Sequence, residues 1–91
     1  MVTAGTESDW LPHKQTGNDL FKETKFEAAI ESYTKAIDLC KGKEDKCVLY
    51  RNRSACFLKL KKFEEALGDA NIVLEQQGSD VKALFRRYAL V

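Results

Sequence analysis

The stretch Lys25-Phe26-Glu27-Ala28-Ala29-Ile30 returns 37 residues later as Lys62-Phe63-Glu64-Glu65-Ala66-Leu67. Self-similarity at a period of roughly 20–50 residues marks stacked supersecondary units in place of one closed core, and helix-pair repeats run near 34 residues. The few residues beyond that period are expected in the polar connection 41–46. Apolar residues around each copy step by three and four. Phe26, Ala29, Ile30, Tyr33, Ala36, Ile37 and Cys40 form the stripe of an amphipathic helix, and Phe63, Ala66, Leu67, Ala70, Val73 and Leu74 repeat it.

A partner helix precedes each stripe. One is expected over 14–22, entered after Pro12 and carrying Gly17, Leu20 and Phe21, and another runs to residue 61 with Val48, Leu49, Ala55, Cys56, Leu58 and Leu60. Gly42 reads as a helix stop. Gly78 reads as a second stop, with Ser79 or Asp80 capping a fifth helix that holds Val81, Leu84, Phe85 and Tyr88. The expected fold is all-α: a right-handed superhelical array of antiparallel helix pairs over 14–91, with two full repeats and the first helix of a third. Residues 1–13 are expected to be a flexible leader, in which Trp10 either docks on the first helix or belongs to the tail.

Composition removes several function classes. Fifteen Lys and Arg against fourteen Asp and Glu give a net charge of +1, so no global field attracts nucleic acid or an anionic membrane. No stretch approaches the ~20 apolar residues of a membrane-spanning helix, and the first thirteen residues lack the apolar run of a signal peptide. Cys40, Cys47 and Cys56 contain no CxxC pair and stand with a single His, which argues against a disulfide scaffold or a metal site. They are read as reduced, and the compartment as cytoplasmic. His13 has no recognisable nucleophile or orienting carboxylate beside it, so neither an enzyme nor a cofactor is expected.

Polar residues at helical spacing then stand out on the first helix of each pair: Lys14 with Asn18, Asn52 with Lys59, and Lys82 with Arg86. Stacked helix pairs curve so that these helices line the concave side, giving a basic, amide-lined groove. Asn is a mediocre helix former, and an amide facing an anion is one reason to place it there. Arg51, Arg53 and Arg87 point about 100° away from their groove-facing neighbours and are assigned to adjacent helices or solvent.

Lys14-x-x-Gly17-Asn18, Asn52-Arg53-Ser54-Ala55 and Lys82-x-x-x-Arg86 resemble the carboxylate-clamp tetratricopeptide repeats of heat-shock-chaperone cofactors. Leu49-Tyr50-Arg51-Asn52-Arg53-Ser54-Ala55-Cys56 and the run from Gly78 to Arg87 look most like the N-terminal domain of UCS-type myosin chaperones. The resemblance implies a co-chaperone adaptor for the acidic, EEVD-type C-terminal tail of cytosolic chaperones of the 90 class, or the related tail of the 70 class. It implies that Lys14, Asn18 and Asn52 hold the terminal carboxylate and that Lys82 and Arg86 meet the last Asp and upstream groups. Phe21, Ala55 and Lys59 would then border a small apolar pocket for the Val before the terminus. The myosin-directed part of that family has no counterpart in these residues. An alternative is an assembly module, in which Leu84, Phe85, Tyr88 and Leu90 of an unpartnered helix drive self-association or bind another protein.

Overall fold

The computed structural model describes residues 9–77. They form four helices, α1 (Trp10–Lys22), α2 (Phe26–Leu39), α3 (Lys43–Lys59) and α4 (Phe63–Gln77), with α1 packed on α2, α2 on α3 and α3 on α4. The expected fifth helix, with Leu84, Phe85, Tyr88 and Leu90, lies outside the described residues. The two helix pairs realise the all-α repeat array expected from the period.

The repeat is carried by its turns as much as by its stripes. Thr24 (φ 62) and Lys61 (φ 63) are 37 residues apart, and both adopt the left-handed conformation. In the first turn the Thr24 amide donates to Phe21 O (3.0 Å) and the Lys25 amide to Leu20 O (2.9 Å). In the second, Lys61 donates to Leu58 O (3.0 Å) and Lys62 to Phe57 O (2.8 Å). This pair of bonds satisfies the last carbonyls of a helix and asks for a residue at positive φ, where a β-branched side chain is strained. Thr24→Gly and Lys61→Gly are therefore each expected to raise unfolding stability by about 0.5–1 kcal/mol, read from urea midpoints.

Two helix boundaries differ from the sequence reading. α1 begins at Trp10, so Trp10 to His13 are helical and Pro12 stands inside the first turn, where its missing amide hydrogen would be unbonded in any case. Trp10 is half-buried and packs against the core. The surplus of the 37-residue period is not in a loop, because α3 already starts at Lys43. Lys43-Glu44-Asp45-Lys46 adds a polar turn of helix, whose Glu44 and Asp45 suit the positive end of the helix dipole. Gly42 is the N-cap of α3 with extended backbone (φ −80, ψ 133), while α2 ends at Leu39 with Cys40 as its C-cap, so Gly42 opens α3 and is not the expected stop of α2.

Ala29, Tyr33, Ala36, Ile37, Cys40, Leu49 and Cys56 form one buried cluster, with Phe26 and Ile30 against it, as the α2 stripe requires. α3 lies between two neighbours and buries two opposite faces. At ~100° per residue, Leu49 and Cys56 point one way, into that cluster, and Cys47 and Ser54 the other. Ser54 Oγ donates to Ala66 O of α4 at 3.0 Å. The second stripe is less covered: Phe63 is 61% and Leu67 46% exposed, where their counterparts Phe26 and Ile30 are half-buried. α2 is flanked by α1 and α3, whereas α4 packs extensively only on α3 among the described elements. No helix among the described residues is long and apolar enough to cross a membrane.

Candidate functional site

Three helices converge on a groove of about 290 Å³, lined by Asn18, Phe21 and Lys22 of α1, Tyr33 of α2, and Asn52 and Ala55 of α3. Steps of three and four residues put each helix's contribution on one face. Asn18, Asn52, Phe21 and Ala55, all singled out from the sequence, are thus brought together. Lys14 stands one turn before Asn18 on α1, with Nζ 5.9 Å from the centre of the Trp10 ring. Lys59, the last residue of α3, is exposed and does not line the groove. It falls one turn past Ala55, and the wall is completed by Lys22, its counterpart in the first repeat. Lys82 and Arg86 lie outside the described residues.

Tyr33 and Lys22 are groove residues that sequence reasoning missed. Tyr33 belongs to the core stripe by its spacing, and at 2% exposure it is part of the core. Its hydroxyl nevertheless donates to Asn18 Oδ1 at 2.6 Å. A buried tyrosine needs a partner for its hydroxyl, and that need was the available signal. The ring rests on Gly17, where a Cβ would fall 2.7–2.9 Å from Cε1, Cδ1 and Cζ. Gly17 is required by this close approach.

Among the described residues the lining contains no carboxylate, and Lys22 adds a positive charge. Burial, with a smaller contribution from Cys56, pushes the Tyr33 phenol up to about 12, so it is a neutral donor at physiological pH. The groove thus offers amide and ammonium donors beside apolar Phe21 and Ala55. That combination suits an anionic group flanked by a small apolar side chain.

The buried phenol also ties stability to pH. Burial pushes the Cys56 thiol from 9.0 up to about 11, as it pushes Tyr33 from 10.0 up to about 12. Both values are raised in the folded state, so this stability is fully present below about pH 9 and is lost as pH rises through 9–12. The expected result is a fall of about 2 kcal/mol per group in unfolding free energy across that window. Urea melts at stepped alkaline pH measure it, and Tyr33→Phe should remove the later part of the fall.

No family model matches the chain. Protein unc-45 homolog B of Danio rerio is 45% identical over 89 residues, which is 94% of this chain and 9% of that protein. The likeness runs through both helix pairs. The chain folds as a helix-pair array of the tetratricopeptide-repeat kind. Mitochondrial import receptor subunit TOM70 of Homo sapiens is 43% identical over 76 residues, 81% of the chain and 12% of the receptor subunit. Sperm-associated antigen 1A of Danio rerio is 44% identical over 79 residues, 81% of the chain and 18% of that protein. The chain spans less than a tenth of the length of its unc-45 relatives, 9% in Danio rerio and 8% in Xenopus laevis. The UCS-type resemblance read from 49–56 and 78–87 agrees with these relatives.

Proposed function

We propose that the domain is a co-chaperone adaptor that binds the acidic, EEVD-type C-terminal tail of cytosolic heat-shock chaperones of the 90 and/or 70 class. The observation that carries this reading is one groove, without a carboxylate among the described residues that line it, into which Asn18 and Asn52 come from two different helices. In this reading Lys14, Asn18 and Asn52 hold the terminal carboxylate, and Lys82 and Arg86 meet the last Asp side chain and upstream acidic groups. Phe21 and Ala55 receive the Val before the terminus, Ala55 by leaving space that a larger residue would fill.

A free C-terminus with an adjacent Asp presents two carboxylates, and two anions on one residue need several convergent donors. Shielded, charge-assisted hydrogen bonds of this kind contribute roughly 1.5–3 kcal/mol each. The domain acts as a tether in the cytoplasm, bringing a chaperone to whatever a longer protein of this kind holds. Calorimetric titration with Met-Glu-Glu-Val-Asp, once as the free acid and once amidated, tests the proposal. Binding of the free acid alone is expected; equal binding of both, or of neither, would remove the clamp.

A further inference from the structure

We propose that Tyr33 is a positioning residue that turns the Asn18 amide so that Nδ2 faces the groove, and thereby makes the groove prefer a carboxylate terminus to an amide. The inference rests on the reading that the groove takes a carboxylate-ended tail. An asparagine amide carries an acceptor on one side and two donors on the other, and a half-turn about its last bond exchanges them. An unrestrained Asn18 could offer a ligand either end. Only the donor end favours a carboxylate, while the acceptor end would favour the N–H of a capped terminus.

The choice is made by one hydrogen atom. Tyr33 is 2% exposed, its hydroxyl keeps its proton at neutral pH, and that proton needs an acceptor. Asn18 Oδ1, at 2.6 Å, is the acceptor among the described residues. With the amide reversed, Nδ2 would donate to the hydroxyl and the hydroxyl's own hydrogen would have no partner among the described residues. Nor can the ring swing away, because it lies flush on the α1 backbone at Gly17. Asn52 differs: it makes no hydrogen bond among the described residues and is free to adapt to the ligand. One asparagine is preset, and the other follows.

Tyr33→Phe keeps the ring on Gly17 and deletes only the hydroxyl. Two readouts decide the proposal. In the ligand-free protein, three-bond couplings about Asn18 χ2, from Hβ and Cα to Nδ2, should report one amide orientation in the wild type and averaging in the variant. In titrations, the variant's affinity for free-acid Met-Glu-Glu-Val-Asp should fall about tenfold, which narrows the gap to the amidated peptide that the wild-type domain does not bind. A folded Tyr33→Phe with wild-type couplings and wild-type free-acid affinity would overturn this inference and leave the tail reading standing. A wild-type domain that binds neither peptide would overturn the tail reading and the selectivity with it. Asn18→Asp keeps an acceptor for Tyr33 but aims oxygen at the groove, and it carries the test if Tyr33→Phe does not fold. Loss of free-acid binding in Asn18→Asp supports the proposal, and retained binding overturns it.

Discussion

Arg53→Ala is expected to lower the melting temperature by more than about 15 °C, the largest stability effect of any single side-chain truncation foreseen here. Arg53 donates from Nε to Asp69 Oδ2 at 2.9 Å and from Nη2 to Asp69 Oδ1 at 2.7 Å, a two-pronged pair between α3 and α4. Its Nη1 donates to Thr34 Oγ1 of α2 at 3.0 Å, and Thr34 Oγ1 in turn donates to Ile30 O at 2.7 Å. The guanidinium carbon lies 5.3 Å from the Tyr50 ring centre and 5.8 Å from that of Phe57. One side chain therefore ties three helices, and its charge is held by the hydrogen bond to Asp69, which pushes its pKa up.

The pair is largely out of water, with side-chain exposures of 19% for Arg53 and 6% for Asp69. Truncating the arginine strands a buried carboxylate, which costs roughly 3–5 kcal/mol. A small domain holds only about 5–15 kcal/mol in total, so the loss is a large fraction of its stability. Thermal melts by circular dichroism measure the loss. Replacing both partners, Arg53→Met with Asp69→Leu, should restore most of it, since a matched apolar pair leaves no charge unpaired. A single Arg53→Ala variant melting within a few degrees of the wild type would rule out this role.

Asn52→Ala should weaken binding of the free-acid tail peptide by about 10–100-fold while leaving the melting temperature almost unchanged. Asn52 is half-buried in the groove and makes no hydrogen bond within the described protein, so its removal strands no partner. Asn18→Ala should weaken binding comparably but also cost stability, because the buried Tyr33 hydroxyl loses its acceptor. The contrast between two asparagines of one groove is the informative part. Calorimetry and melts on the same preparations separate the effects. An Asn52→Ala domain with undiminished affinity would take Asn52 out of the proposed clamp.

Much of the groove could be read without coordinates, because residues that share a helix face are separated by three or four positions. Asn18 with Phe21, and Asn52 with Ala55, are pairs of that kind. Lys59 satisfies the same rule, yet it stands a turn beyond the lining. Periodicity reports a face and is silent on how far along that face a neighbouring helix reaches. Trp10 and Pro12 show a similar limit at a helix start: proline marks a boundary region, and it is tolerated anywhere in the first turn. The polar turn Lys43-Glu44-Asp45-Lys46 looked like a connection because it has no apolar face, although its charges are well placed for a helix N-terminus.

Local spacing and the need to cover apolar surface dictate the repeat, the order of four helices and the stripe that α2 buries. The tertiary structure decided the contacts between distant residues: Arg53 with Asp69 and Thr34, Tyr33 on Gly17 and against Asn18, and Lys22 at the groove wall in place of Lys59. These depend on the crossing and offset of packed helices. A shift of one turn, about 5.4 Å along an axis, leaves the apolar pattern satisfied and changes every polar partner.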